Sequence, residues 1–138
     1  KITEEVLKEY LISGKDFVNN NTIQSYPDGM DTRIFSLDIL KKSMSMTSSK
    51  LDQEHVSLHI KNNPKIFSCK NIIAPESLYW PELGLTLDEE RDYQLIKKII
   101  NALYKKNNLF SCSEIIKFLK SNQQLLQINK DVVRKGDT

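Results

Sequence analysis

A helix-rich α/β fold with a few short strands is what this 138-residue sequence predicts. Three observations predict it. Apolar residues recur at helical spacing in several segments, and between those segments lie short runs of two-residue alternation. No internal repeat and no Pro/Gly/Ser-rich linker interrupts the chain, so residues 1–138 read as a single domain.

The elements follow in order. Ile2, Val6, Leu7, Tyr10 and Leu11 mark a first helix that Thr3 is placed to cap and Gly14 to stop. Residues 16–19 read as a short extended segment entering the Asn-rich stretch 19–21. Tyr26-Pro27-Asp28-Gly29 is a turn signal, because Pro presets φ and Gly accepts φ > 0. Residues 30–35 alternate as a strand would, and Ser36 then suits the N-cap of a helix through Leu37, Ile39, Leu40 and Met44. Asp52 opens a predicted helix carrying His55, Val56, His59 and Ile60, which Asn62-Asn63-Pro64 ends.

Residues 65–73 alternate again as a strand, and a loop framed by Pro75 and Pro81 holds Trp80. A short strand over 84–87 should lead into a helix from Asp88, with Tyr93, Ile96, Ile99, Ile100 and Leu103 on one face. Ser113 and Glu114 suggest the start of a helix bearing Ile115, Ile116, Phe118 and Leu119. A last short helix would hold Leu125, Leu126 and Ile128.

Composition narrows the function classes. Twenty Lys and Arg face 18 Asp and Glu for a formal net charge of +2, which argues against a dedicated nucleic-acid binder. No apolar run approaches the roughly 18 residues of a membrane span, and the opening KITEEVLKEY is too acidic for a signal peptide. Cys69 and Cys112 are too few for a disulfide framework or a metal knuckle. They suit the free thiols of a cytoplasmic protein.

Three constellations have chemical content, each with two readings. Asp88, at a strand-to-helix junction, is either an N-cap or a hard-oxygen ligand for Mg²⁺ at the carboxyl end of a strand. Asp28 and Asp31 flank Gly29. They form either a polar loop or a set of acceptors for sugar hydroxyls, with the glycine permitting close backbone approach. His55 and His59 stand at i and i+4, a spacing that suits a metal, yet the HExxH pattern and any nearby third ligand are absent. A hydrogen-bonded or solvated pair is the plainer reading. No P-loop, GxSxG or GxGxxG occurs.

Taken together, DFVNNNTIQSYPDGMDTRIFS, EHVSLHIKNNPKIFSCKNI and LTLDEERDYQLIKKII resemble, in order and spacing, the C-terminal part of a known family. These are the cytidylyltransferases of the spore coat polysaccharide biosynthesis type, similar to the CMP-ketodeoxyoctulosonate and acylneuraminate cytidylyltransferases. The resemblance runs from about Asp16 to Asn129. It implies a nucleotide-diphospho-sugar-transferase-like, Rossmann-type fold and a reaction joining CTP to a sugar acid, with Mg²⁺ as cofactor. By that resemblance Asp88 is a Mg²⁺ ligand, while Asn20, Asp28, Gly29, Asp31 and His55 line the sugar side of the cleft.

The same comparison shows departures. Arg33 stands where the family usually has Glu, Gly84 where it often has Arg, and Leu58-His59 where it has Pro-Tyr. The family's Gly-rich nucleotide-binding loop and its second metal-binding Asp have no counterpart among these residues, and the chain opens on Lys1 rather than Met. The expectation is therefore a partial domain, inactive alone, from a CMP-sugar synthetase for cell-surface polysaccharide, with a homodimer as one expected assembly. The alternative expectation is a non-catalytic module that binds a sugar, a nucleotide or a partner.

Overall fold

Short runs of β-branched and aromatic residues make strands here only where a partner strand and a buried face are both available. In the computed structural model, which describes residues 1–133, the chain forms two compact units. One holds residues 1–24 and 31–73, the other residues 25–30 and 74–133.

The first unit contains a three-stranded sheet in the order β2-β1-β3, with β1 Phe17–Asn19, β2 Arg33–Phe35 and β3 Cys69–Asn71. β1 is antiparallel to β2, pairing Val18 with Ile34, and parallel to β3, pairing Val18 with Lys70. The parallel register is pinned just before β1. Asp16 Oδ2 accepts from the Ser68 amide at 2.8 Å and its hydroxyl at 3.0 Å, while the Asp16 amide donates back to Ser68 Oγ at 3.1 Å. The core beneath the sheet is Phe17, Ile60 and Phe67, joined by Phe35, Ile39 and Cys69.

Helices complete this unit. α1 (Ile2–Ser13) ends at Gly14, whose φ of 62° is the left-handed cap conformation. Thr3 lies inside its first turn rather than at its cap. α2 (Leu37–Met44) begins as expected, with Ser36 Oγ accepting from the Ile39 amide at 3.2 Å. The single helix expected from Asp52 is instead two, α3 (Lys50–Glu54) and α4 (Leu58–Asn62). His55 leaves the helical region at φ −107°, ψ 74°, and Val56 and Ser57 are weak helix formers. The break lets α4 bury Leu58 and Ile60.

The second unit is helical around Leu83, Leu95, Ile99, Ile115, Ile116 and Leu119. α5 is Glu90–Leu103 and α6 is Cys112–Ser121, with 3-10 turns at Glu76–Leu78 and Gln123–Gln127. The apolar face of α5 differs from the expected one. Leu95 and Ile99 are buried with Asp92, whereas Tyr93 and Ile100 are exposed. α6 starts earlier than Ser113, because Ser111 is its cap and closes a reciprocal box with Glu114: Ser111 donates from its amide at 2.8 Å and from its hydroxyl at 2.9 Å to the Glu114 carboxylate.

Strand lengths also fall short of the alternating runs. Beyond Arg33 the ladder is only half made: the Asn20 amide donates to the Thr32 carbonyl at 3.3 Å, but Asn20 Oδ1, not its backbone carbonyl, accepts from the Thr32 amide at 2.7 Å. The strand expected over 84–87 reduces to one parallel bridge between Gly84 and Asp28. Its partner turns away at once at Gly29. The helix-rich α/β class holds with a small sheet.

Candidate functional site

In the first unit Asn20 and Asp31 lie at the carboxyl end of β1, which is also the carboxyl end of parallel β3. Asparagine side chains build this loop. Asn19 Oδ1 accepts from the amides of Asn21 at 3.0 Å and Thr22 at 2.8 Å, and Asn71 Oδ1 accepts from that of Ile23 at 3.1 Å. Asn20 is fully buried, and its bond to Thr32 makes it part of the loop's frame. Asn21 carries the frame outward, donating from Nδ2 to Asp31 Oδ2 at 2.7 Å.

Arg33 sits in the middle of this polar group. Its Nε donates to Asn21 Oδ1 at 3.4 Å and its Nη1 to Ser57 Oγ at 3.1 Å, and Nη2 stands 4.0 Å from Asp31 Oδ2. Ser57 is buried, so the guanidinium is held on a half-buried polar shelf with its orientation fixed. In the sequence Arg33 stands out only as a departure from a family pattern. A signal was present: Arg33 and Asp31 share one face by the two-residue period, and Arg33 faces Asn19 across the sheet.

His55 lies in the break between α3 and α4, two residues before Ser57, and shares no helix face with His59. His59 belongs elsewhere. Its Nδ1 is 3.5 Å from Asp52 Oδ2, which also accepts from Thr47 Oγ1 at 2.6 Å. The hydrogen-bonded reading thus describes His59, and the paired-ligand reading loses its geometry.

In the second unit Asp28 and Gly29 are clamped to residues 83–86. The Asp28 amide donates to the Leu83 carbonyl at 2.9 Å, and the Leu85 amide donates to the Asp28 carbonyl at 2.8 Å. The turn closes between the Pro27 carbonyl and the Met30 amide at 3.1 Å, one residue later than the Tyr26–Gly29 turn, with Pro27 at its second position, that the motif suggests. That register puts Gly29 at the position needing φ > 0, and its φ is 97°. A Cβ there would stand 2.7 Å from the Leu85 carbonyl oxygen, so the glycine is required by close approach as well as by conformation.

Asp88 is exposed just before α5, and the structure removes its N-cap reading. The cap position is Glu89, and the capping carboxylate is Asp92, which is fully buried. Asp92 Oδ2 accepts from the Glu89 amide at 3.2 Å and the Asp88 amide at 3.4 Å. Asp92 Oδ1 accepts from Asn129 Nδ2 at 2.8 Å, and the same Nδ2 donates to the Gly84 carbonyl at 3.1 Å. Asp92 and Asn129 therefore hold both ends of the segment that carries Asp88. Neither was singled out from the sequence, although Asp92 shares the buried stripe of Leu95 and Ile99.

Among the described residues no group of three or more His, Cys, Asp or Glu gathers as a metal site. One exposed carboxylate at Asp88 still fits a Mg²⁺ ion shared with a polyphosphate, since that ion commonly takes one or two carboxylates and fills its shell with phosphate oxygens and water. The residues fit a shared ion, not a resident one. The two thiols lie in different units, and burial raises the pKa of each above the ordinary cysteine value, which favours the protonated thiol. No helix among the described residues is long and apolar enough to cross a membrane.

The fold matches a solved cytidylyltransferase from Leptospira borgpetersenii serovar Hardjo-bovis with a TM-score of 0.83, at 22% identity, over 97% of this chain and 55% of that one. The fold is that of a cytidylyltransferase, of the nucleotide-sugar-transferase kind that the motifs implied. In sequence, the chain is 36% identical over 70 residues to the spore coat polysaccharide biosynthesis protein SpsF of Bacillus subtilis, covering 51% of this chain and 29% of the relative. It is 31% identical over 131 residues to an uncharacterized protein of Methanocaldococcus jannaschii, covering 93% of this chain and 51% of that protein. The match thus spans about half the length of the Methanocaldococcus relative, and the 70-residue match to SpsF less than a third of that protein. No family model matches it.

Proposed function

We propose that this chain supplies the sugar side of a CTP-dependent cytidylyltransferase that activates a sugar acid for cell-surface polysaccharide synthesis. The observation that carries the reading is where its three motifs fall. DFVNNN forms the carboxyl end of β1, YPDGMD forms the Gly29 turn, and LTLDEERDY presents an exposed carboxylate, Asp88, free of capping duty. A strand end and a helix entry are where α/β folds place ligands.

In the proposed reaction a sugar hydroxyl oxygen attacks the α-phosphorus of CTP and gives up its proton to solvent. The bond from that phosphorus to the bridging oxygen breaks, and pyrophosphate leaves with the electron pair. Asp88 would hold Mg²⁺, which when bound supplies charge neutralisation on the triphosphate. By the family resemblance, Asn20, Asp28, Gly29, Asp31 and His55 are proposed to contact the sugar. Arg33 gives the sugar-acid assignment its chemistry, because an oriented guanidinium pairs well with a carboxylate. The work is done in the cytoplasm and by a homodimer in this reading.

Pyrophosphate release from CTP in the presence of sugar acids tests it. The whole polypeptide that carries these residues is expected to turn over, and the 138 residues alone are not, because they contain no Gly-rich phosphate-binding loop. Turnover by the 138 residues alone would contradict the division of labour. The second reading, a binding module without chemistry, is motivated by Arg33 and Gly84, which stand where the resembled family has Glu and Arg. It predicts full activity after Asp88→Ala.

A further inference from the structure

A cleft of about 340 Å³ lies wholly within the 25–30 and 74–133 unit, lined by neither Asp88 nor the residues of the Gly29 turn. We propose that it is a binding site for an uncharged pyranose ring. Its walls and floor differ in character. Trp80 is half-buried, packed against the Leu95–Leu119 core and lining the cleft, and Leu83 and Leu126 extend the apolar wall. An indole beside an open cleft offers a flat face to the C–H side of a sugar ring.

The floor carries a fixed hydrogen-bond acceptor. Asn129 is 5% exposed and lines the cleft. Its Nδ2 donates to two groups that can only accept, the Gly84 carbonyl and Asp92 Oδ1, so the amide has a single possible orientation. That leaves Oδ1, on a residue that lines the cleft, as the side-chain polar atom with no hydrogen bond to another described residue. The rim adds Glu82, Gln127 and Lys130, all exposed. A carboxylate, an amide and an ammonium together both accept and donate, and the two charges cancel. Sugar hydroxyls, each donor and acceptor, match that mixture, whereas a phosphate or another anion would need net positive charge. The volume admits a monosaccharide or the end unit of a chain.

Trp80 is the only tryptophan in the sequence, so intrinsic fluorescence reads this cleft alone. Titrating the 138-residue chain with methyl β-D-glucopyranoside, methyl α-D-mannopyranoside and N-acetylglucosamine is expected to give a saturable change with at least one of them. Half-saturation is expected on the order of 1 mM. The double variant Gln127→Ala, Lys130→Ala changes exposed residues only and is expected to weaken that binding about tenfold. Saturation-transfer NMR on Trp80→Ala, which needs no fluorophore, is expected to lose the sugar signal. Absence of any saturable response to all three sugars overturns the proposal. So does a response to cytidine without one to the pyranosides, or a sugar response that survives in the folded double variant and in Trp80→Ala.

Discussion

At Gly29 two constraints coincide, a φ of 97° and a backbone oxygen 2.7 Å from where a Cβ would sit. Gly29→Ala is expected to lower unfolding stability by about 1–3 kcal/mol, read from urea unfolding. A second residue-scale prediction separates two carboxylates four positions apart. Asp92→Ala strips the acceptor from the Glu89 amide and from Asn129 inside a buried site, and is expected to cost about 3 kcal/mol. Asp88→Ala, exposed and without a side-chain partner, should stay within about 0.5 kcal/mol of the parent. Equal costs for the two would mean that Asp88 shares the capping work.

Among the elements, α6 offers a pH test. The Ser111 amide, then the Ser111 hydroxyl and then the Asn107 amide hold the Glu114 carboxyl below its ordinary value. A carboxyl lowered in the folded state stabilises folding above its unfolded value, about 4.3, and that contribution disappears as pH falls through the lowered folded value. Glu114→Gln is therefore expected to flatten the acid limb of a plot of Tm against pH, leaving its neutral part parallel to the parent. An unchanged acid limb would count against the box as drawn.

Elements defined by local chemistry were legible from the sequence. Gly14, Ser36 and Gly29 act through their own backbone or hydroxyl: Gly14 and Ser36 sit where their patterns place them, and Gly29 takes the expected positive φ in a turn shifted by one residue. Elements decided by distant partners were not. The buried stripe of α5 includes a carboxylate because Asn129, far along the chain, meets it there. The helix expected over His55 and His59 breaks so that Leu58 and Ile60 can be buried. The site divides the same way: the Gly29 turn was readable, whereas Arg33 gains meaning only once Asn21, Asp31 and Ser57 surround it.

For the molecule as a whole, the account joins a cytidylyltransferase fold to candidate residues held on loops by buried amides and carboxylates. Arg33→Ala in the whole polypeptide is expected to raise KM for the sugar acid roughly tenfold or more while leaving KM for CTP unchanged. A neutral sugar analogue should not feel the change. Equal effects on both substrates would place Arg33 in the frame rather than in recognition.

The most direct measurement is Mg²⁺-dependent pyrophosphate release from CTP and a sugar acid by the whole polypeptide carrying Asp88→Ala, with its Tm taken alongside. The account predicts a fall in kcat of roughly 100-fold or more with Tm unchanged. Full activity with Tm unchanged would contradict it.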